Sequence, residues 1–553
     1  MIPRFSRRQG RRRGGPARWG ARGRTVLVTV SALLVAAVAG IAFAVWPDGS
    51  DRASREQPST GTGAASSGTK AVSPSPSRSY DLSQAPRTIP AVRDFTAARG
   101  PGWRPGGGGR VVVGDAALAD EGKLIAGELK LAYAGQTGAR AGDVELALTP
   151  GAGDGPESYT MTVKDDRVRI AGPTDKGVFY GTRTLKQAVR EAGQAPEGEV
   201  KDRPAKPQRG FMLDIARKPY PVGWIEDRVR ELGDLKFNQL GLHFSDDQGF
   251  RIESTSHPEV VSKDHLTKAQ VRSILAVAAS RHIDVVPEID SPGHLGAVLA
   301  PHPDLQLRNT SGAVASGAID ISKPGAAPLV DDLLNEFADL FPGPFWNLGG
   351  DEYRALMAKD PAASYPQLAT AARQKYGANA GVADLTTGWL NDRADTVRAH
   401  GREMRAWNDG FFRGGTVQAA KDLYVAYWTG KEIGARPPTE FLSAGRKVIN
   451  YNDEYLYYVL GQPNAFVYPT GQRIYEQWNP LVLRGTQPVA AQYDGQIPGG
   501  TFAVWGDFPN AQTPDQVAAG IRLPLRATVQ KLWDPARPAL AWGDFVKLAD
   551  KLG

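Results

Sequence analysis

Residues 209–247 read RGFMLDIARKPYPVGWIEDRVRELGDLKFNQLGLHFSDD. An apolar run at 211–215 gives way to a polar link, then to Ile225, Val229, Leu232 and Leu235 at the spacing of one helical face, and a second apolar run fills 239–244. Strand, helix and strand in this order make a βαβ unit. The pattern continues with candidate strands at 283–288, 345–348, 403–407, 423–428, 447–451 and 501–505, and Val271, Ile274, Leu275 and Ala278 form a helical face before the third strand. Eight such units predict a (β/α)8 TIM barrel, whose active site lies at the C-terminal ends of its strands.

Polar and aromatic residues gather at those ends. Asp214 and Arg217 follow the first strand; His243, Ser245, Asp246 and Asp247 follow the second; Glu288, Asp290 and His294 follow the third; Asp351 and Glu352 follow the fourth. Trp407, Trp428 and Trp505 close the fifth, sixth and eighth. Residues serving only packing would be scattered along strands and helices alike, so the clustering marks a site.

Upstream, short runs at 111–113, 124–131, 144–148 and 159–170 read as strands, and Val178, Leu185 and Val189 give 176–192 a helical pattern. They predict a small α+β domain over 81–205, ahead of a barrel over 206–553. Gly106 to Gly109 lacks the Lys-Ser/Thr of a phosphate loop and reads as an ordinary loop. Residues 47–80 are rich in Ser, Gly, Pro and Thr, the composition of a disordered tether.

The basic balance of the chain is local. Its formal net charge is +7, but residues 1–24 hold nine Arg and no acid, so the remainder is close to neutral at −2. That excludes a phosphate-binding surface on the folded part, and with it nucleic acid as a partner. The Arg cluster precedes an uncharged run at 25–46, long enough at ~1.5 Å per residue to cross a bilayer. Residues 1–46 therefore read as a membrane anchor or, given Ala42-Phe43-Ala44, as a cleaved signal peptide. Either one places the catalytic part outside the cell. The chain has no Cys, which excludes disulfides and thiolate chemistry. Its seven His show neither H-E-x-x-H nor paired ligand spacing, so no metal or other cofactor is expected. No G-x-S-x-G supports a serine hydrolase.

From about residue 89 to 523 the chain resembles family 20 glycoside hydrolases, the β-N-acetylhexosaminidases. The resemblance rests on Glu157-Ser158-Tyr159, Gly177-Val178-Phe179-Tyr180-Gly181, Arg209-Gly210, Asp214-Ile215-Ala216-Arg217 and Lys236-Phe237-Asn238. It continues through His243, Asp246-Asp247-Gln248-Gly249, Pro287-Glu288-Ile289-Asp290, Pro292-Gly293-His294 and Gly349-Gly350-Asp351-Glu352. It implies exo-hydrolysis of terminal β-linked N-acetylglucosamine or N-acetylgalactosamine, with chitooligosaccharides and glycoconjugates as partners. Most glycoside hydrolases set two carboxylates across the scissile bond, and this family is a substrate-assisted exception. Two adjacent acids suit that exception, since neighbours cannot easily face each other across a sugar ring.

By resemblance, Glu352 is the general acid and then the base, a role calling for a raised pKa, and Asp351 stays ionised to orient the acetamido group that attacks C1. Arg217 holds sugar hydroxyls, or forms a structural ion pair with Asp214. His294 and Asp246 pair to tune Glu352. Trp407, Trp428 and Trp505 wall the sugar. Two departures bear on specificity. The usual Tyr-x-Asp reads Tyr455-Leu456-Tyr457, so Tyr455 keeps the acetamido oxygen while the Asp is missing, and the usual Trp-x-Glu reads Trp505-Gly506-Asp507. These leave room for a lacto-N-biosidase that releases a disaccharide. A non-catalytic carbohydrate-binding surface protein is the remaining alternative.

Overall fold

The eight apolar runs pair into one closed parallel sheet. In the computed structural model, which describes residues 79–151, 153–431 and 435–553, the barrel strands are β8 (Gln208–Asp214), β9 (Gln239–His243), β10 (Asp284–Glu288), β13 (Phe345–Asn347), β14 (Glu403–Trp407), β15 (Tyr424–Tyr427), β16 (Val448–Asn450) and β18 (Gly499–Trp505). They neighbour one another in chain order, and β18 pairs with both β8 and β16 to close the ring. A short strand, β17 (Tyr457–Val459), pairs with the upper half of β18, so the seventh position is filled twice, by β16 below and β17 above. A hairpin of β11 (Gln306–Arg308) and β12 (Val314–Ile319) lies between β10 and β13.

Side-chain parity sorts each strand between two cores. Phe211 and Leu213, Phe502 and Val504, and Tyr458 join the large outer core under the helices. Met212, Ala503, Trp505, Tyr457 and Val459 join Trp407, Ala426, Ile449 and Tyr451 in a second, inner cluster. Successive residues of a strand face opposite ways, so one-residue parity decides which side chains reach the barrel mouth.

The small domain is a seven-stranded sheet in the order β1-β7-β5-β6-β4-β2-β3. Its strands are β1 (Asp94–Ala97), β2 (Arg110–Val113), β3 (Ala132–Tyr133), β4 (Val144–Leu148), β5 (Tyr159–Lys164), β6 (Arg167–Gly172) and β7 (Gly198–Asp202). Helices α1 (Ala119–Leu129) and α2 (Asp175–Ala192) pack on it and on each other. The expected strand at 124–131 is instead the end of α1 and the link to β3. Glu121, Gly122, Ile125, Ala126 and Leu129 are its buried residues, a helical three-and-four spacing that overrides the local run of Leu and Ile.

Motif residues remote from the active-site end fasten this domain to the barrel. Arg209, buried at the start of β8, donates to Glu157 at 2.8 and 3.2 Å, to Tyr180 Oη at 3.0 Å, and to the carbonyls of Lys236 and Lys206 at 2.8 Å each. All five of its N–H donors are thereby used. Asn238 Nδ2 adds a bond to Glu157 at 3.0 Å, and Lys236 Nζ reaches Tyr159 Oη at 2.9 Å. Arg209→Ala leaves the largely buried Glu157 carboxylate with only the more distant Lys176, at 4.0 Å, as a cation, a change that costs about 3–5 kcal/mol when a buried pair is broken. Urea unfolding of the variant should show a loss of that size. A loss of about 1 kcal/mol or less, as for an exposed ion pair, would show that the join does not depend on this residue.

The described residues all belong to one unit of the chain, Pro76–Gly553. The basic segment, the apolar run and all but the last two residues of the tether lie outside the described residues. Among the described residues no helix is long and apolar enough to cross a membrane.

Candidate active site

The barrel mouth is floored by a continuous polar chain. Glu288, at the end of β10, accepts from Trp407 Nε1 and faces His243 Nδ1, both at 2.9 Å, and accepts from Asn347 Nδ2 at 2.8 Å. His243 Nε2 lies 2.8 Å from Asp246, and Asp246 pairs with Arg217 at 2.7 Å. Arg217 pairs with Asp214 at 2.9 Å, and Asp214 accepts from Gly506 N–H at 3.0 Å. Residues of five strands are thus linked through side chains of alternating charge. The ion pair between Arg217 and Asp214 is present, and it shares the guanidinium with Asp246 and with the ring of Trp505, 5.4 Å away.

Burial alone would lower a histidine pKa, yet Glu288 and Asp246 raise that of His243 to about 10. His294 is likewise held well above its ordinary value, against burial, by Asp351 and Asp246. Asp246 in turn lies well below the usual carboxylate range despite burial, because His294 and Arg217 face it. His243, His294 and Arg217 thus alternate with the carboxylates of Glu288, Asp246 and Asp214 beneath the acids.

His294, with φ +53, reaches Asp246 at 3.4 Å through Nδ1. Its Nε2 lies 3.5 Å from Glu352 and 3.9 Å from Asp351. The expected pair of His294 with Asp246 is thus in place and meets both acids. Gly349 and Gly350 carry the chain into them with φ +68 and +95. A Cβ on Gly349 would overlap the Asp290 carboxylate, whose Oδ1 accepts from Gly350 N–H at 2.7 Å. Only glycine suits both that backbone and that contact.

The raised pKa expected of Glu352 is not found, and the order of the two acids is reversed. Contact with His294 holds Glu352 below the usual carboxylate range, its side chain being 39% exposed. Burial pushes both Asp351 and Asp290, which face each other, above the usual carboxylate range. The reversal follows from the His294 contact at Glu352 and from the burial of Asp351, which is only 14% exposed.

The three tryptophans come together at the barrel mouth. Trp407 and Trp505 lie 5.9 Å apart, and Trp428 is stacked on Tyr457 at 5.7 Å. Tyr457 also meets Trp505 at 5.7 Å. The expected pocket tyrosine, Tyr455, is elsewhere. It sits in the turn closed by Leu456 N–H to Asn452 O, belongs to the outer core, and lies under the Arg473 guanidinium at 4.3 Å. The chain turns before β17 restarts the strand, so inward parity falls on Tyr457, whose hydroxyl is pushed well up by burial and by Asp351. Asp507 is exposed beside Arg217, which opposes the rise that partial burial gives its carboxyl. Two groups were not singled out in the sequence. Tyr451 packs edge-on against Trp407 at 4.9 Å. Asp409 is pushed up to about 7 by burial and by Asp351, and the only signal for it was its place two residues past a strand-ending Trp.

The chain matches the family model described as "Glycosyl hydrolase family 20, catalytic domain" over residues 207–521, and that described as "Glycosyl hydrolase family 20, domain 2" over residues 85–203. The chain belongs to glycosyl hydrolase family 20. Among its family 20 relatives, a lacto-N-biosidase of Bifidobacterium bifidum is 31% identical over 479 residues, covering 85% of this chain and 42% of the relative. A β-hexosaminidase of Akkermansia muciniphila is 27% identical over 329 residues, covering 54% of this chain and 64% of the relative. The chain thus spans less than two thirds of either relative. The solved structure of a β-N-acetylhexosaminidase from Streptomyces coelicolor, 24% identical, shares the fold with a TM-score of 0.67 over 85% of this chain and 96% of that one.

Proposed function

We propose that this family 20 chain hydrolyses terminal β-linked N-acetylhexosamines with retention, the substrate's acetamido oxygen acting as nucleophile. The observation that carries this reading is that Asp351 and Glu352 both converge on His294, at 3.9 and 3.5 Å, and so belong to one wall of the pocket. An enzyme nucleophile would have to face the acid across the ring, at about 5–5.5 Å between carboxyl groups. In the reading, Glu352 protonates the leaving oxygen, and Asp351 accepts from the acetamido N–H and offsets charge on the oxazolinium. Tyr457, rather than Tyr455, donates to the acetamido oxygen. Trp407, Trp428 and Trp505 pack on the apolar faces of the sugar and its methyl group, and Arg217 and Asp507 take hydroxyls. Chitooligosaccharides and glycoconjugates are the substrate class. Export, with the apolar run at 25–46 as anchor or signal, completes the reading.

A second reading, release of a disaccharide, is favoured by Tyr457 standing where the family carries an Asp and by the shorter Asp507 with its exposed carboxylate. The first replaces a carboxylate by a phenol and the second shortens one, so both change how the hydroxyls of a terminal sugar would be held. Chromogenic N-acetylglucosaminide, N-acetylgalactosaminide and lacto-N-bioside substrates, assayed side by side, separate the two. Turnover of the monosaccharide glycosides is expected; turnover of the lacto-N-bioside alone would assign the second reading, and no hydrolysis of any would leave a carbohydrate-binding protein.

A further inference from the structure

Three loops at the mouth meet at one turn. After β14 the chain makes a single tight turn, Asn408–Gly410. Asn408 Oδ1 accepts from Trp428 N–H at 2.8 Å, and its Nδ2 donates to Thr429 O at 2.9 Å, which ties the turn to the segment after β15. Gly410 lies against Gly350, where an added Cβ would stand 2.7 Å from the Gly350 carbonyl oxygen. The turn is therefore packed on the backbone that leads into the two acids. Asp409 stands between these contacts. Its Oδ2 accepts from the backbone N–H of Glu352 at 3.1 Å, and its Oδ1 accepts from the indole N–H of Trp428 at 3.0 Å. One carboxylate grips the peptide of the acid and the wall of the pocket together.

Glu352 needs such a grip. Its φ of +46 is in the left-handed region, which a side chain of this kind seldom adopts. Backbone of this sort persists where the surroundings over-determine it, and a carboxylate accepting the peptide N–H is among the stronger restraints available. We infer that Asp409 is a positioning residue for hydrolysis, holding Glu352 in its left-handed backbone at a fixed distance from the Trp428 wall. It acts through Glu352 and transfers no proton itself. The inference rests on the reading of Glu352 as general acid in N-acetylhexosaminide hydrolysis.

Asp409→Asn nearly preserves shape, but its amide turns an N–H toward one of the two donors, so one of the two bonds is lost. Trp428→Phe keeps an aromatic ring and removes the other donor. The test is kcat/KM for aryl N-acetylglucosaminides of graded leaving-group pKa, measured on wild type and both variants. Displacing an acid by a fraction of an ångström affects the reaction most where protonation is needed most. Asp409→Asn is expected to lose about 10- to 100-fold on the most basic leaving group and less than about 3-fold on the most acidic one. The plot of log kcat/KM against leaving-group pKa then steepens, while inhibition by N-acetylglucosamine is unchanged. Trp428→Phe steepens it in the same direction.

A purely structural role lowers every member of the series alike. Uniform loss, or no loss, in Asp409→Asn overturns the inference, as does an unchanged slope in Trp428→Phe should the first variant fail to fold. A wild-type enzyme that turns over no member of the series overturns the functional reading itself, and this inference with it.

Discussion

Glu352→Gln is expected to reduce kcat/KM on N-acetylhexosaminides with poor leaving groups by about 10²–10⁴-fold, the contribution typical of a positioned acid. Aryl glycosides that expel an acidic phenol should lose far less, because their departure needs little protonation. The Glu352 carboxyl is held low by His294 and is 39% exposed. A sugar seated over it would strip that water and disfavour the ionised form, so the pKa of Glu352 is expected to rise on binding. The glutamine keeps the shape and the contact with Asp409, which acts on the backbone N–H. Binding of N-acetylglucosamine should therefore survive the substitution. Equal losses on both substrate classes would remove Glu352 from the acid role.

The barrel was legible because parallel strands are covered on both faces and read as unbroken apolar runs. All seven residues of β8 and of β18 are buried. What failed were decisions made by contacts distant in sequence. The segment at 124–131 is helical because Ile125, Ala126 and Leu129 pack into the small-domain core, which a window of eight residues does not reveal. At the seventh position the motif offered two tyrosines. The choice between Tyr455 and Tyr457 turns on where the strand restarts after Asn452, a matter of backbone hydrogen bonding rather than of residue type.

Several residues were recognised without their work being visible. Glu157, Arg209, Lys236 and Asn238 belong to the family pattern, yet they join two domains and never approach the mouth. The sequence of charges around Asp351 and Glu352 showed that two acids stand side by side; it could not show which one water reaches. That depends on Asp290 behind Asp351 and on His294 beside Glu352, each supplied by the loop after β10.

Asp351→Asn should lower the rate with little change in binding, by on the order of 10²–10³-fold, the size of effect seen when one preorganised electrostatic partner is removed from a transition state. The argument runs from the geometry. Asp351 is nearly buried, faces Asp290 and lies 3.9 Å from His294, so a sugar in the pocket meets a carboxylate already oriented and short of water. In the ground state an asparagine can still accept from the acetamido N–H, which preserves binding. As the carbonyl oxygen attacks C1 the acetamido group becomes cationic, and only the carboxylate offsets that charge, so the loss falls on kcat rather than KM. The same hypothesis fixes the response to the substrate. Replacing acetyl hydrogens by fluorine withdraws electrons from the attacking oxygen with little change of shape, so turnover should fall stepwise from N-acetyl to N-fluoroacetyl to N-trifluoroacetyl. A plain glucoside, with a 2-hydroxyl and no internal nucleophile, should hardly react. An enzyme carboxylate nucleophile predicts the opposite: a flat rate across the fluorine series together with a trapped glycosyl-enzyme would end the substrate-assisted reading.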